Sequence, residues 1–453
     1  MKTFARSTFA VGASAALLVT AAPPAAAVRI TCGGRTPTIT GTSGPDTLRG
    51  TNGTDVILAK GGADVVRGLG GRDFICGGGG RDRIVAGAGN DLVKGGPGSD
   101  TVTGGADRDQ LLGNGGSDRL RGASGPDILL GGNGRDRLDA GDGADYLAGD
   151  TGNDVMDGGG GLDQVSYRDA RGGVRVNLGS GTSGGAAGND RLAGIEALRG
   201  STFDDSLTGG PNADAISGLF GDDRINGGGG GDVIDPGPGN DRLDGGAGFD
   251  FVDYTSVKGG GVDVNLGSSA HAEGTDRLRA LEGVLGSEQA DEITGSADND
   301  SLFGGGGRDR LDAGAGDDTL EGGAGADVLQ GGEGFDFVLY LFSNRGVTVD
   351  LAAGSATGEG TDQLGGIEAA NGSEHGDTIS GDAGANALAG AGGNDTVFGR
   401  DGNDELDGGS GNDTLDGGAG TDECTDGETL AGCEESEARR AAKTPVYARS
   451  RRP

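Results

Sequence analysis

The sequence has no tryptophan, two histidines, two methionines and four cysteines in 453 residues, and only 4% of it is aromatic. Hydrophobic residues make up 33%, too few for an ordinary globular core at this length. The scarcity of histidine removes most nucleophilic and metal-hydrolase chemistry. His271 and His375 stand far apart, neither lies in an H-E-x-x-H zinc motif, and no G-x-S-x-G elbow accompanies either. There is no G-K-[ST] phosphate loop. Cation is scarce too: 36 Lys and Arg face 71 Asp and Glu, a net charge of −35. That balance argues against a nucleic-acid partner, because phosphate binding needs a basic face. Beyond the N-terminus no apolar run is long enough for a transmembrane span.

What is abundant is glycine, 105 residues of it. Without a period such a composition reads as a disordered, acidic linker, so the period decides. Residues 113–166 divide into six nonapeptides: GNGGSDRLR, GASGPDILL, GGNGRDRLD, AGDGADYLA, GDTGNDVMD and GGGGLDQVS. Each has Gly or Ala first, Gly fourth, Asp sixth and an aliphatic residue or Met eighth. The register runs back without a slip through the sixth-position residues Asp46, Asp55, Asp64, Asp73, Asp82, Asp91, Asp100, Asp109, Asp118, Asp127, Asp136, Asp145, Asp154 and Asp163. The eighth position is apolar every time, from Leu48 to Val165. Disorder does not require an apolar residue every nine residues.

This nonapeptide, G-G-x-G-x-D-x-U-x, resembles the RTX (repeats-in-toxin), or hemolysin-type, calcium-binding repeat. The resemblance implies an all-β fold: a right-handed parallel β-roll, a β-solenoid with two repeats per coil and Ca2+ between stacked turns on each edge. The chemistry agrees. Calcium takes six to eight oxygens from carboxylates and backbone carbonyls, and glycine tolerates the dihedrals that aim several carbonyls inward. Carboxylates 18 residues apart then cooperate on one edge. Asp46, Asp64, Asp82, Asp100, Asp118, Asp136 and Asp154 form one file; Asp55, Asp73, Asp91, Asp109, Asp127, Asp145 and Asp163 form the other.

The register breaks at Tyr167, and a longer period appears. Three connectors, opening at Tyr167, Tyr254 and Tyr340, are each followed by six nonapeptides; Asp205, Asp291 and Asp377 recur every 86 residues. The connectors carry alternating Val174-Val176-Leu178, Val262-Val264-Leu266 and Val347-Val349-Leu351, which favours added coils over projecting loops. The later repeats supply the expected ligands Asp214, Asp223, Asp232, Asp241 and Asp250; Asp300, Asp309, Asp318, Asp327 and Asp336; and Asp395, Asp404, Asp413 and Asp422. Turns whose fourth residue is Asp107, Phe203, Asn212, Gln289, Asp298 or His375, and the one where Asn386 replaces Asp, are expected to bind weakly or not at all.

The expected division is a secretory signal at 1–27, a solenoid cap at 28–40, fourteen repeats at 41–166, three connector-plus-six-repeat units at 167–253, 254–339 and 340–436, the last including a C-terminal cap, and a disordered basic tail at 437–453. Lys2 and Arg6, the apolar run that follows and Ala25-Ala26-Ala27 carry the signal reading. In a secreted chain the cysteines suggest disulfides. Cys424 and Cys433 flank the end of the last repeat; Cys32 and Cys76 pair by elimination, and only if the first strand folds back. The expectation is a secreted, extracellular, non-enzymatic calcium-binding protein with no catalytic residues, and with cell-surface or matrix polysaccharide as a candidate partner. The alternative is a calcium-dependent polysaccharide-active enzyme with its site in the connectors, which the shortage of aromatics disfavours.

Overall fold

A computed structural model describes residues 35–271 and 274–433. The signal segment, Cys32 with its expected pairing to Cys76, and the basic tail lie outside the described residues. The chain divides into two compact units, one ending at Asp250 and the other beginning at Phe251. The described residues of both are strands and turns without a helix.

In the first unit the aliphatic eighth residue of each repeat sits at the centre of a short strand, and neighbours in space are 18 residues apart. Leu120 pairs in parallel with Val102 on one side and Leu138 on the other. In the opposite sheet Leu129 lies between Leu111 and Leu147. Two repeats therefore complete one coil of a parallel β-solenoid. The period of two along each strand sends the eighth side chain inward and its neighbours outward. Val66, Ile84, Val102, Leu120, Leu138 and Met156 from one sheet meet Ile57, Ile75, Val93, Leu111, Leu129 and Leu147 from the other, all at most 1% exposed. This core is one side chain wide per strand. It cannot by itself offset the entropy of ordering nine residues, so the backbone ladder and the turns must contribute.

The first connector enters the sheet with a change of direction. Arg191–Ala193 pairs in parallel with Val155–Gly160, and Val174–Asn177 pairs in parallel with Ser206–Thr208. Between them lies Thr182–Gly185, antiparallel to both. The opposite sheet gains only Ala197–Arg199, parallel to Gln164–Ser166 and Ala215–Ser217.

The second unit repeats this twice. Asp263–Asn265, Ser269–His271 and Thr275–Arg277 form one antiparallel set; Thr348–Asp350, Ser355–Thr357 and Thr361–Gly365 form the other. Val174, Val176, Val262, Val264, Val347 and Val349 are buried. The connectors are thus neither projecting loops nor plain extra coils: each is an antiparallel hairpin built into one of the two sheets. Alternation reports a strand but not its direction, which is why the sequence left this open. The repeats after each connector resume the 18-residue parallel register, as in Leu302 with Leu320 and Leu388 with Leu406. At the end of the second unit Cys424 and Cys433 form a disulfide, with Cα atoms 5.7 Å apart.

Candidate metal centre

Each sixth-position aspartate stands where a turn becomes a strand, and the stack joins them by one recurring contact. The backbone N–H of one aspartate donates to Oδ1 of the aspartate 18 residues later. On one edge Asp82 donates to Asp100 at 2.8 Å, Asp100 to Asp118 at 2.7 Å and Asp118 to Asp136 at 2.7 Å. On the other, Asp91 donates to Asp109 at 2.9 Å and Asp109 to Asp127 at 2.7 Å. The second unit does the same: Asp309 donates to Asp327 and Asp395 to Asp413, both at 2.9 Å. Two files of carboxylates result, nearly all of them buried.

The second oxygen divides the files into two kinds of turn. In the first two repeats of every block it is held by the N–H four residues earlier. Thr42 donates to Asp46, Thr51 to Asp55, Ser201 to Asp205, Gly210 to Asp214, Ser287 to Asp291, Ser296 to Asp300 and Ser373 to Asp377, at 2.5 to 2.6 Å. Asp382 donates in the same way to Oδ1, the single side-chain oxygen of Asn386, at 2.8 Å. In the remaining repeats Oδ2 is buried without a hydrogen-bond partner: at Asp64, Asp73, Asp82, Asp91, Asp100, Asp109, Asp118, Asp127, Asp136, Asp145, Asp154, Asp163, Asp223 and Asp232 in the first unit, and at Asp309, Asp318, Asp327, Asp336, Asp395, Asp404, Asp413 and Asp422 in the second. Buried polar atoms are ordinarily satisfied, so this recurrence needs a missing partner of opposite charge. Asp241 and Asp250 continue the same file, accepting from Asp223 and Asp232 at 2.7 Å.

One backbone dihedral separates the two kinds. In the open turns the second residue of the repeat has positive φ, as at Gly96 and Gly132, and at Lys60, Leu69, Ala123, Leu219, Ala391 and Arg400 where a side chain makes that conformation costly. In the closed turns the second residue is not left-handed, and its N–H points at the carboxylate. The flip also aims carbonyls along the stack. A Cβ placed on Gly96 would sit 1.9 Å from the carbonyl oxygen of Gly78, and one on Gly134, a fourth residue, 1.5 Å from that of Gly116. Second and fourth carbonyl oxygens therefore face the next coil, beside the files. Among the described residues no three carboxylate, imidazole or thiol groups converge on one point. A cation at such a turn would draw on one or two carboxylates and complete its shell with carbonyls, a donor set suited to calcium.

The RTX calcium-binding nonapeptide repeat matches this chain at residues 40–75, 77–111, 112–147, 130–165, 185–225, 217–252, 285–320, 303–338, 371–406 and 390–424. The matches cover more than half of the sequence. The chain belongs to the RTX family. No curated protein matches it. RTX nonapeptide repeats bind calcium ions, and calcium is the ion that the open turns fit.

Burial dominates the electrostatics of the open RTX turns. It pushes the carboxyls of Asp100 and Asp127 up to about 7 and that of Asp109 to about 8, opposed by the N–H from the preceding coil and reinforced by like charges one coil away. Asp136 rises to about 6 for the same reasons.

The files also run through the connectors, on residues that the repeat pattern passed over. Asp154 donates to Oδ1 of Asp190 at 2.8 Å and Asp327 to that of Asp362 at 3.1 Å. Asp163 and Asp336 donate to Glu196 and Glu368, and beyond the last repeat Asp413 donates to Glu428; the extra methylene of each glutamate carries a carboxylate to the same place. The second oxygen of the connector aspartates is taken by a tyrosine hydroxyl: Tyr167 to Asp190 at 3.1 Å, Tyr254 to Asp276 at 2.9 Å and Tyr340 to Asp362 at 3.0 Å. Burial, and then the adjacent carboxylate, hold the Tyr167 and Tyr340 hydroxyls well above their usual range, so both stay donors. The signal was present in GND and GTD, the last three residues of the turn motif, and in the tyrosine opening each connector.

The structure sets four expected ligands apart. Asp46, Asp55, Asp214 and Asp300 have their second oxygen engaged by their own turns, because Thr42, Thr51, Gly210 and Ser296 keep the backbone conformation that closes the loop. His375 is exposed at a turn, and the described part of His271 is a strand end.

Proposed function

We propose that this chain is a secreted, non-enzymatic calcium-binding protein whose open turns take up extracellular calcium, and that it serves as a cell-surface or matrix component in contact with polysaccharide. The observation that carries the reading is the row of buried carboxylate oxygens without a partner, repeated every 18 residues within the repeat blocks and lost where a turn closes on itself or a tyrosine intervenes. The residues that would hold the ion are the open-turn aspartates from Asp64 to Asp163, Asp223 to Asp250, Asp309 to Asp336 and Asp395 to Asp422, together with second- and fourth-position carbonyls. Bound calcium supplies positive charge between coils whose carboxylates otherwise repel each other.

Secretion is supported by the N-terminal sequence pattern and by the millimolar calcium that such a low-charge-density site requires. A non-enzymatic role is supported by the use of almost every buried polar side chain in the stack itself. Equilibrium dialysis of the purified chain against calcium tests the site assignment. Uptake of many ions per chain is expected. Uptake of one or none would overturn it. Assays on extracellular polysaccharides in the presence of calcium test the non-enzymatic reading, which cleavage would overturn.

A further inference from the structure

The first unit carries a second charged surface, of the opposite sign to its edges. We propose that the outer face of the sheet containing Arg83–Ala88 and Arg119–Ser124 binds a single extended chain of acidic polysaccharide through Arg49, Arg67, Arg83, Arg119, Arg121 and Arg137. This rests on the extracellular reading above and names its partner class.

Seventh and ninth residues of each repeat flank the buried eighth, so they face outward together. Along this sheet the register places Arg49 beside Arg67, Arg83 beside Thr101, Thr101 beside Arg119, and Arg119 beside Arg137. Arg121 lies between Thr103 and Asp139. All six arginines are exposed. Among the described residues none of them makes an ion pair, whereas Arg310 pairs with Glu292 and Asp312 and Arg400 pairs with Asp350. From Thr47 to Arg137 no outward strand position of this sheet is acidic, in a chain with 71 acidic residues. Asp139 and Asp157 mark the end of the strip.

Arginines one rung apart sit ~4.8 Å from each other, well inside the ~8 Å screening length at physiological salt. Repulsion of that kind persists where a polyanion offsets it. The shape of the strip selects among polyanions. It is one strand wide, ~7 Å between seventh and ninth residues, and is bordered on both sides by turns that carry the carboxylate files. A duplex nucleic acid is much wider and would press phosphates against those turns. A single polysaccharide chain with a carboxylate or sulfate on each repeat lies within the strip and meets a cation on five of its six rungs, the exception being that of Thr101 and Thr103. Arg, with its planar fork of donors, suits both groups. In the second unit the corresponding positions mix signs, as in Glu292 beside Arg310, and form no such strip.

The test uses the full chain in millimolar calcium and a fluorescent chondroitin sulfate oligosaccharide, which carries both carboxylate and sulfate. Binding is expected to be salt-dependent. The triple variant R119Q/R121Q/R137Q should weaken it about ten-fold, as loss of several modest exposed charge contacts implies, while R308Q/R310Q in the second unit should leave it unchanged. Equal affinity of the triple variant and the parent would overturn the proposal. So would equal binding of neutral dextran, tighter binding of a short DNA duplex, or self-association of the chain that disappears in the triple variant. The calcium-induced change in the circular dichroism of the same samples separates the two readings. A chain that responds to calcium but binds without regard to arginine sinks the strip alone, and one that does not respond to calcium sinks the calcium reading.

Discussion

The amide of Asp100 donates to Oδ1 of Asp118 at 2.7 Å, and Oδ2 of Asp118 is left buried with no hydrogen-bond partner. Half of that carboxylate thus belongs to the fold, and the other half is the part proposed to meet calcium. D118N keeps the first half and replaces the second with an amide. We expect it to lower calcium uptake in equilibrium dialysis and to stabilise the calcium-free chain, because a buried unpaired charge is removed. D205N is expected to leave calcium uptake unchanged, since both oxygens of Asp205 are already engaged. The chain contains its own precedent in Asn386, whose Nδ2 donates to the carbonyl of Glu368 at 3.2 Å. Equal calcium loss in both variants would contradict the division into open and closed turns.

Acid should substitute for calcium. Folding raises the carboxyls of Asp136, Asp100 and Asp109 to about 6, about 7 and about 8, through burial first, whereas an unfolded aspartate titrates near ~3.9. The folded chain therefore binds protons that the unfolded chain releases. The stabilisation is complete below about pH 4 and is lost as pH rises through the folded values. In chelator, the β signal in circular dichroism should be present at about pH 4 and decline between about pH 6 and pH 8. With calcium the same scan should be flat across that window. A signal that grows with pH in chelator would reverse the sign and contradict the account.

Much of this was legible in the sequence, and the reasons are local. The period of nine, with Asp sixth and an aliphatic residue eighth, fixes both the strand and its inward face, so the 18-residue coil and the core from Ile57 to Val165 followed directly. What escaped was conformation at the second residue. Thr42, Thr51, Ser201, Ser287, Ser296 and Ser373 all occupy that position in closed turns, and the glycine pattern at the fourth position does not report on it. The hidden continuation of the files through Asp190, Glu196, Asp362 and Glu368 escaped for a different reason: the hairpins stretch the spacing from 18 to 32–36 residues, and no short period reveals that.

The left-handed second residue gives a stability prediction. Ala123 has φ 98°, a conformation that costs an alanine roughly 1–2 kcal/mol. A123G should therefore raise stability and lower the calcium concentration at the folding midpoint. The usual effect of Ala to Gly within a strand is the opposite. A midpoint shifted upward would show that the turn is not held in this conformation.

The tyrosine caps predict a coupled effect. Y340F removes the hydroxyl that Asp362 accepts at 3.0 Å and leaves a buried carboxylate oxygen unsatisfied, at a cost of about 1–3 kcal/mol. Thermal unfolding at limiting calcium should occur at lower temperature than in the parent. Adding D362N should restore part of the loss, because the charge goes with the cap. No recovery in the double variant would mean that the tyrosine acts by packing alone.

The core should set how much calcium folding needs. Leu129 is fully buried between Leu111 and Leu147, so L129A is expected to cost about 2–5 kcal/mol and to move the calcium midpoint upward. Leu162 is 46% exposed, and L162A should leave the midpoint in place.

The most direct test of the central claim is far-ultraviolet circular dichroism of the chain at neutral pH, first in chelator and then through a calcium titration. The account predicts a largely unfolded spectrum that converts cooperatively to a β spectrum as calcium reaches the millimolar range. A full β spectrum already present in chelator, unchanged by the metal, would contradict it.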